Sequence, residues 1–275
     1  MMHRKPVLAG VSIAAAAFFA PQFAAAQTAA APEVSPLTAN VTLTSLYKYR
    51  GQDQDILKDG GSNFKTSAFK PAIQGGFDYA HESGFYFGNW NSSVNWLDGN
   101  SIESDLYGGY KFKAGVLDFD VGVLGYLYAG NTAGNTVELY GAMGYTSEAV
   151  GTFTFKYSHT VSDDYFNYAG NSGGSGLKGT NTGYFNLAYT KEIVPKLTLK
   201  VAGGYTHMSS DIRSLGYKSY WDYSVGASYD FGAGLSLAGM VQGATEGSSY
   251  EVTGDNGETL NPNKARFVVA LTKTF

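Results

Sequence analysis

Twelve segments of this chain alternate apolar and polar residues, and this repeated pattern constrains the fold more than any other feature. Because successive side chains of a β-strand point to opposite faces, each segment has one apolar and one polar face. Each is close to the roughly 9–11 residues that a tilted membrane-spanning strand requires. After residue 26 no apolar run is long enough for a membrane-spanning helix. The pattern therefore predicts an all-β fold: a transmembrane antiparallel up-and-down β-barrel of about twelve strands.

The last segment has the clearest alternation. Ala265, Phe267, Val269 and Leu271 share one face, and the chain ends on an aromatic residue, Phe275. This ending is typical of the closing strand of a bacterial outer-membrane barrel, so we expect the barrel-assembly machinery to recognise it. Lys273 interrupts the apolar face, but a lysine this close to a strand end can extend its ammonium group to the membrane surface. Taken alone, the segment would also suit an edge strand of a soluble antiparallel sandwich.

The connections between the segments alternate in length. Those after even-numbered segments are short, as at 81–84 and 232–234. Those after odd-numbered segments are often long, as at 51–70, 162–181 and 246–263. Short periplasmic turns and long outer loops are characteristic of outer-membrane barrels, and an even number of strands places both ends of the chain in the periplasm.

The amino-terminal residues predict export. A basic start (His3, Arg4 and Lys5) precedes an apolar run at 7–20, and Ala24 and Ala26 form a small-residue cleavage site. The apolar run is too short for a comfortable membrane anchor. We therefore expect a signal peptide at 1–26, an extension at 27–39, a barrel at 40–275 and a location in the outer membrane of a Gram-negative bacterium.

Aromatic residues are expected to form belts at the two membrane surfaces, where a ring can lie at the headgroup level with its polar tip in water. Every even segment ends with an aromatic on its apolar face. The predicted periplasmic girdle is Tyr79, Phe112, Tyr145, Tyr189, Phe231 and Phe275. The predicted outer belt is Tyr47, Tyr49, Trp96, Tyr157 and Trp221.

The polar faces of the segments carry fifteen ionisable residues, which are predicted to line the interior of the barrel. So many charges would be severely destabilising in a dry core, whereas a water-filled lumen would solvate them. In the third segment, this assignment places Asn89 and Asn91 inside and Tyr86 and Trp90 outside. The predicted pore-lining residues are Lys48, Arg50, Asp78, Glu103, Asp105, Lys111, Asp118, Asp120, Glu138, Lys156, Lys200, Asp222, Asp230, Lys264 and Arg266.

Other classes of function have little support in the sequence. The formal net charge is −4 at pH 7, which does not favour nucleic-acid binding. The chain has no cysteine, so it has no disulfide framework and no thiolate metal site. No catalytic set, cofactor or metal is predicted. His207 near Ser209, Ser210 and Asp211 is a weak hydrolase candidate, because a catalytic triad is defined by geometry and not by proximity in sequence.

Several stretches in the first third resemble the TorF family of bacterial porins, a Gcw_chp-type group. They are Tyr-Lys-Tyr-Arg-Gly at 47–51, Lys-Pro-Ala-Ile-Gln-Gly-Gly-Phe-Asp-Tyr at 70–79, His-Glu-Ser-Gly-Phe-Tyr at 81–86 and the stretch 90–94. The resemblance implies an outer-membrane β-barrel with a transport role, and it implies no catalytic residues. The spacer at 53–69 is longer than is usual in that family.

These observations predict a porin-like channel for passive diffusion of small hydrophilic solutes or ions, surrounded by outer-membrane lipid. Because cationic and anionic groups are nearly equal in number inside, weak ion selectivity is expected unless they separate onto opposite walls. The alternatives are a closed outer-membrane barrel with a binding or structural role in its surface loops, an outer-membrane hydrolase, and a soluble periplasmic β-protein. Small barrels are filled by side chains and wide barrels contain an open channel, and about twelve strands is an intermediate number. The pattern alone therefore does not decide between a filled and an open barrel.

Overall fold

The computed structural model describes residues 35–58, 61–170 and 176–275. The predicted signal peptide and most of the predicted extension lie outside these described residues. The first barrel strand begins at Leu37, slightly before the predicted start of the barrel at residue 40. No helix in the described part of the chain has the length and apolar composition to cross a membrane.

Within the described residues, twelve antiparallel strands form a closed barrel, as the alternation predicted. Each strand pairs with the next in sequence, and the last pairs with the first. The strands are β1 (Leu37–Thr44), β2 (Ala72–Ala80), β3 (Phe85–Ser93), β4 (Ile102–Ala114), β5 (Leu117–Leu127), β6 (Thr136–Ser147), β7 (Gly151–Thr160), β8 (Gly183–Val194), β9 (Leu197–His207), β10 (Tyr220–Gly232), β11 (Leu235–Ala244) and β12 (Arg266–Thr274).

The two ends of the barrel differ in their connections. We call the end with short connections, such as 81–84 and 233–234, the turn end, and the other end the loop end. The loop end carries the long connections, including 45–71, 161–182 and 245–265, and a one-turn helix, α1 (Ser210–Ser214). Tight turns need residues with positive φ, and Gly84 (φ +100°) shows why glycine is used, because a Cβ there would lie 2.3 Å from the Lys111 carbonyl oxygen.

The junction where the barrel closes is short. β1 and β12 are paired over five residue pairs, from Asn40–Thr274 to Thr44–Ala270. By comparison, β4 and β5 are paired over eleven. We call the β1–β12 junction the seam. On its other side, β1 pairs with β2 over eight residue pairs, which is longer than the seam.

The outer wall is apolar and the inner wall is polar, the reverse of a soluble protein. Leu187, Val225 and Leu271 face outward and are 56%, 48% and 43% exposed. Asp120 and Glu138 face inward and are buried. Charged groups inside and aliphatic groups outside exclude the packed apolar core of a soluble sandwich, because such a core would bury the aliphatic side chains.

The orientation predicted for β3 is wrong. Phe85 and Phe87 face outward, and Asn89 and Asn91 lie on the same outer face. Tyr86 faces inward, and its hydroxyl donates a hydrogen bond to Asp120 Oδ1 at 2.6 Å. The physical reason is that a tyrosine can satisfy its hydroxyl only among polar partners, which the interior supplies.

Candidate functional site

The connection from β1 to β2, residues 45–71, folds into the barrel, and we call it the inward loop. Its described residues include Leu46, Tyr47 and Asp53, each at most 2% exposed. The sequence predicted that this connection starts at residue 51 and that Tyr47 and Tyr49 lie in an outer aromatic belt. That prediction is wrong, because the strand ends at Thr44 and both rings lie inside.

A local hydrogen bond ends β1 and starts the inward loop. The Thr44 hydroxyl donates to the Leu46 carbonyl oxygen at 2.8 Å. Such a side-chain bond satisfies a backbone carbonyl that would otherwise need a partner on a neighbouring strand, so the chain can leave the sheet here. Gly51 then adopts φ +78°, and a Cβ at this position would lie 2.6 Å from the Gly243 carbonyl oxygen. The loop therefore turns where only glycine fits.

Arg50 connects the inward loop to the far wall of the barrel. Its Nη1 and Nη2 donate to Glu138 Oε1 and Oε2 on β6 at 2.9 and 2.7 Å. Its guanidinium also lies over the Tyr184 ring of β8, 4.1 Å from the centroid. Strands β6 to β8 lie opposite β1 in the twelve-strand ring. The inward loop therefore crosses the whole lumen.

The environment of Arg50 explains why a guanidinium is stable there. Burial acts to lower the pKa of Arg50, but the Glu138 carboxylate and the neighbouring tyrosines together raise it by more, so the pKa lies above its ordinary value. Nη1 also donates to the Tyr165 hydroxyl at 3.1 Å, which brings in the connection at 161–182. A bidentate pair of this kind fixes geometry as well as charge.

A second ionic cluster holds the inward loop in its fold. Asp53 accepts from Lys48 at 2.8 Å and from Lys70 at 2.6 Å, and these side chains are almost fully buried. Lys48 Nζ also donates to the carbonyl oxygens of Gly51 and Pro262, both at 2.8 Å. Burial lowers the pKa of Lys48 to about 8, although Asp53 opposes the shift. The cluster therefore joins both ends of the inward loop and attaches it to the connection at 245–265.

Tyrosines and aromatic rings fill the space around the inward loop. The Tyr47 hydroxyl donates to Glu103 Oε1 at 2.8 Å, and Tyr128 donates to the other Glu103 oxygen. Burial, with Glu103 next, raises the pKa of Tyr47 well above its ordinary value, so its hydroxyl keeps its proton. Tyr49 packs against Phe166 of the connection at 161–182, with ring centroids 5.5 Å apart. The loop end of the lumen is therefore filled by side chains.

The turn end of the lumen is more accessible to solvent. Asp78 accepts a hydrogen bond from Tyr107 at 2.6 Å and is half-buried. Lys111 is also half-buried, and its ammonium group lies 4.4 Å from the centroid of the Tyr86 ring. Lys156 lies deeper, midway along β7, with its ammonium group 4.0 Å from the centroid of the Tyr140 ring. We call this half-buried polar region the vestibule. It places charges of both signs beside solvent.

All but one of the predicted interior charges lie on the inner wall or on the inward loop. Lys48 and Arg50 lie on the inward loop rather than on a barrel strand. Lys264 is the exception, because it precedes β12 and is exposed. The inner-wall residues are Asp78, Glu103, Asp105, Lys111, Asp118, Asp120, Glu138, Lys156, Lys200, Asp222, Asp230 and Arg266.

The residues of the predicted aromatic girdle all lie on the outer face at the turn end. Phe112, Tyr145, Phe231 and Phe275 are exposed, and Tyr79 and Tyr189 are half-buried. Neighbouring rings are in contact around this belt, as for Phe153 and Tyr189, whose centroids are 4.7 Å apart.

At the loop end, only part of the predicted outer belt faces outward. Trp221 is 60% exposed and packs on Tyr205, and Tyr157 packs on Phe185. Trp96 lies inside, against Tyr128, so its assignment to this belt is wrong, as it is for Tyr47 and Tyr49.

The residues of the hydrolase candidate do not form a triad. The Ser209 hydroxyl donates to the Lys178 carbonyl oxygen and accepts from Ile212 N, so it caps helix α1. Asp211 accepts from the Lys178 backbone N–H at 2.9 Å. Across the described ranges, no hydrogen bond connects His207 to Ser209, Ser210 or Asp211. Nor do these ranges contain a group of three or more His, Asp or Glu residues placed to hold a metal ion.

Comparison with known proteins supports the fold. A family profile described as "Bacterial protein of unknown function (Gcw_chp)" matches residues 26–275. Among curated proteins, no relative matches the sequence. The solved structure of the KdgM porin matches with a TM-score of 0.53 and 9% identity, over 86% of this chain and 99% of that one. A NanC porin structure matches with a TM-score of 0.52 and 12% identity, over 87% of this chain and 98% of that one. At these identities, the likeness concerns the fold alone.

Proposed function

Since the chain belongs to the Gcw_chp family of bacterial proteins of unknown function, we propose a function from its own geometry. The protein is an outer-membrane channel through which small hydrophilic solutes or ions diffuse passively, and the inward loop forms its constriction. The TorF resemblance and the porin-like fold agree with this proposal, although neither identifies a solute.

The outer wall supports a membrane location. Aliphatic and aromatic side chains cover it, and aromatic belts lie at both ends, with Phe231 (52% exposed) at the turn end and Trp221 at the loop end. Lys273 donates to the Ala233 carbonyl oxygen within the turn-end belt, where an ammonium group can also meet lipid headgroups. This surface would be unstable in water and suits a bilayer.

The polar vestibule is the observation that carries the channel proposal. Asp78, Lys111 and Asp118 face the lumen at the turn end and are half-buried. Charged groups keep their ionised form only where water or partners solvate them. A solute entering this region would meet carboxylates and ammonium groups in similar number, so the proposed selectivity between anions and cations is weak.

The proposed path narrows where the inward loop crosses the lumen. Leu46, Tyr47 and Asp53 fill space there, and the Arg50–Glu138 and Lys48–Asp53–Lys70 pairs hold the loop in place. The loop should therefore set the conductance. Polar contacts hold the inward loop in addition to the aromatic packing around Tyr47 and Tyr49. Substitution of the polar contacts should therefore widen the path without dismantling the barrel.

Planar-bilayer recording tests the proposal. We expect the wild-type protein to give small discrete conductance steps and the Asp53→Asn variant, which unpairs Lys48 and Lys70, to give larger or more frequent ones. A Lys178→Ala variant is the matched control, because it breaks an exposed ion pair with Asp163 outside the barrel wall. If neither the wild type nor Asp53→Asn conducts while both are folded, the channel proposal fails.

The main rival is a closed barrel whose function lies in its surface loops. The filled loop end favours it, because Arg50, Glu103 and Glu138 already have partners there. A closed barrel predicts no solute flux in the wild type and none in the Asp53→Asn variant. The same recordings therefore separate the two functions.

A further inference from the structure

A polar pocket of about 510 Å³ opens at the loop end of the barrel, and we call it the rim pocket. Val161, Asn181 and His207 belong to the outward-facing rows of β7, β8 and β9, at or just beyond the strand ends, and all three are exposed. Because these residues face outward, the pocket opens away from the lumen. Two loop-end connections supply the rest of its lining, which includes Asp163, Lys178, Ser210, Asp211 and Arg213.

The rim pocket lies just above the outer aromatic belt. His207 is two residues beyond Tyr205, whose ring packs on Trp221 with the centroids 4.7 Å apart. Two residues of a tilted strand correspond to roughly 5 Å along the barrel axis. Belt rings of this kind lie at the headgroup level of a bilayer. The rim pocket is therefore beside the headgroups of the outer leaflet.

The carboxylates of the rim pocket hold the two connections together. Asp163 pairs with the Lys178 ammonium group at 3.1 Å, and Asp211 accepts from the Lys178 backbone N–H at 2.9 Å. The Ser209 hydroxyl donates to the Lys178 carbonyl oxygen at 3.0 Å. These contacts join the connection at 161–182 to helix α1, so they give the pocket a defined shape.

Three other side chains of the rim pocket have donors without partners. Among the described residues, no hydrogen bond or ion pair involves the side chains of Asn181, His207 or Arg213. His159 provides a contrast, because it lies in the same row as His207, two strands away, and its Nδ1 is hydrogen-bonded to the Tyr157 hydroxyl at 3.1 Å. A guanidinium, an imidazole and an amide are thus left to bind a molecule in the pocket.

The composition of the rim pocket indicates the class of this molecule. Its formal charge is near zero, since two cationic side chains, Lys178 and Arg213, face two carboxylates, Asp163 and Asp211. A bare anion gains little from such a lining, whereas a sugar phosphate can use both kinds of group. Phosphate oxygens accept from a guanidinium in a bidentate arrangement, and sugar hydroxyls donate to carboxylates and accept from amides. The volume is also within the usual range for small-molecule sites.

We infer that the rim pocket binds the phosphorylated sugar headgroup of a glycolipid in the outer leaflet. Arg213 and His207 hold the phosphate, Asn181 contacts the sugar, and the acyl chains lie against the belt that contains Tyr205 and Trp221. This inference goes beyond the proposed function. It rests on the outer-membrane location in that proposal, but it does not depend on an open pore.

Lipid A, which carries phosphates on a disaccharide, is the probe for the test. It is added to delipidated protein in detergent, and native mass spectrometry measures the bound fraction. We expect the wild type to bind lipid A, and Arg213→Gln with His207→Gln to bind it at least about tenfold more weakly, because charge-assisted hydrogen bonds to the phosphate are lost.

Lys218→Gln is the matched control. Its ammonium group is also exposed at the loop end, but it pairs with Glu246 at 3.1 Å and lies outside the rim pocket. Equal weakening in Lys218→Gln, or full binding by the folded double variant, would overturn the inference. The electrophoretic mobility of the unheated protein reports folding. If the double variant does not fold, Arg213→Lys keeps the charge but loses the bidentate contact, and unchanged binding by this variant would likewise overturn the inference.

Two further probes identify the source of the phosphate. Lipid A from which the phosphates have been removed should bind at least about tenfold more weakly, and equal binding would show that the aromatic belt alone holds the lipid. Inorganic phosphate should not displace lipid A. Displacement would assign the pocket to a free anion, contrary to the inference.

These measurements also separate the inference from the proposed function. A wild-type protein that conducts but does not bind lipid A overturns only the lipid site. Binding of lipid A without conductance overturns only the channel.

Discussion

Arg50 of the inward loop and Glu138 of β6 form a bidentate ion pair inside the barrel, at 2.9 and 2.7 Å. Both side chains are almost completely buried. The net stabilisation from a buried ion pair is smaller than its Coulomb energy, because both ions lose their hydration water. Removing one partner, however, leaves the other charge buried without a counter-ion. The pair therefore holds the inward loop firmly against the wall opposite its origin.

We expect Arg50→Ala to loosen the inward loop and to increase single-channel conductance. Glu138 would remain buried without its counter-ion, which costs about 3–5 kcal/mol in the free energy of unfolding. The urea dependence of the folded electrophoretic band measures this loss. A double variant, Arg50→Met with Glu138→Leu, should recover stability while conductance remains high. If Arg50→Ala leaves both conductance and stability unchanged, the loop is not held by this pair.

The stability of the barrel should rise with pH above about 8 through Lys48. Burial lowers its pKa to about 8 in the folded chain, whereas the unfolded side chain titrates near the ordinary value of 10.5. Between these values the unfolded state binds more protons, so the free energy of unfolding increases with pH. Urea titrations from pH 7.5 to 10 measure the rise, and Lys48→Met should reduce it. An equal rise in that variant would assign the effect to other groups.

The three tryptophans should report which face meets lipid. Trp221 is 60% exposed on the outer wall, whereas Trp90 and Trp96 pack inside against Tyr47 and Tyr128. Brominated phospholipids quench only tryptophans near the acyl chains or headgroups. Trp221→Phe should remove most of this quenching, whereas Trp90→Phe should leave it. Strong quenching that survives Trp221→Phe would show that an interior ring reaches lipid.

Phe275 should matter for assembly in the cell more than for stability. Its ring is 72% exposed at the turn end, and its backbone N–H donates to the Ala39 carbonyl oxygen of β1 at 2.8 Å. We expect Phe275→Ala to lower the amount of folded barrel in outer membranes, because the assembly machinery is proposed to recognise this ending. Refolding from urea into detergent should be nearly unchanged. Phe231→Ala, another exposed girdle residue, is the control and should assemble normally.

The strand pattern predicted the barrel because a two-residue period depends only on local sequence. In β12, Phe267, Val269 and Leu271 face outward as expected. The apolar face of this strand is easy to identify from the sequence, because Lys273 is its single polar residue. In β3, Phe85 and Phe87 flank Tyr86, so three aromatic residues in succession give no preferred parity. The asparagines then favoured the wrong face, because a polar residue is ordinarily assigned to the lumen.

The inward loop could not be predicted from alternation. Tyr47 and Tyr49 continue the parity of β1 beyond Thr44, so the end of the strand has no signature in the pattern. Its partners, Glu103 and Glu138, are distant in sequence, and only the folded barrel brings them near. The length of the 45–71 connection and the φ > 0 requirement at Gly51 were the available signals. Both indicate a turn, but neither indicates its direction.

The seam also determines the order in which the barrel can fold. Thr42 and Thr272 are hydrogen-bonded across it although they are 230 positions apart in the chain. Contacts between such distant residues close the largest loop and are expected to form last, after the local hairpins. Until the final strand is in place, β1 and β11 are two open edges that can pair with other chains. A chain truncated before β12 should therefore aggregate rather than persist as a smaller barrel.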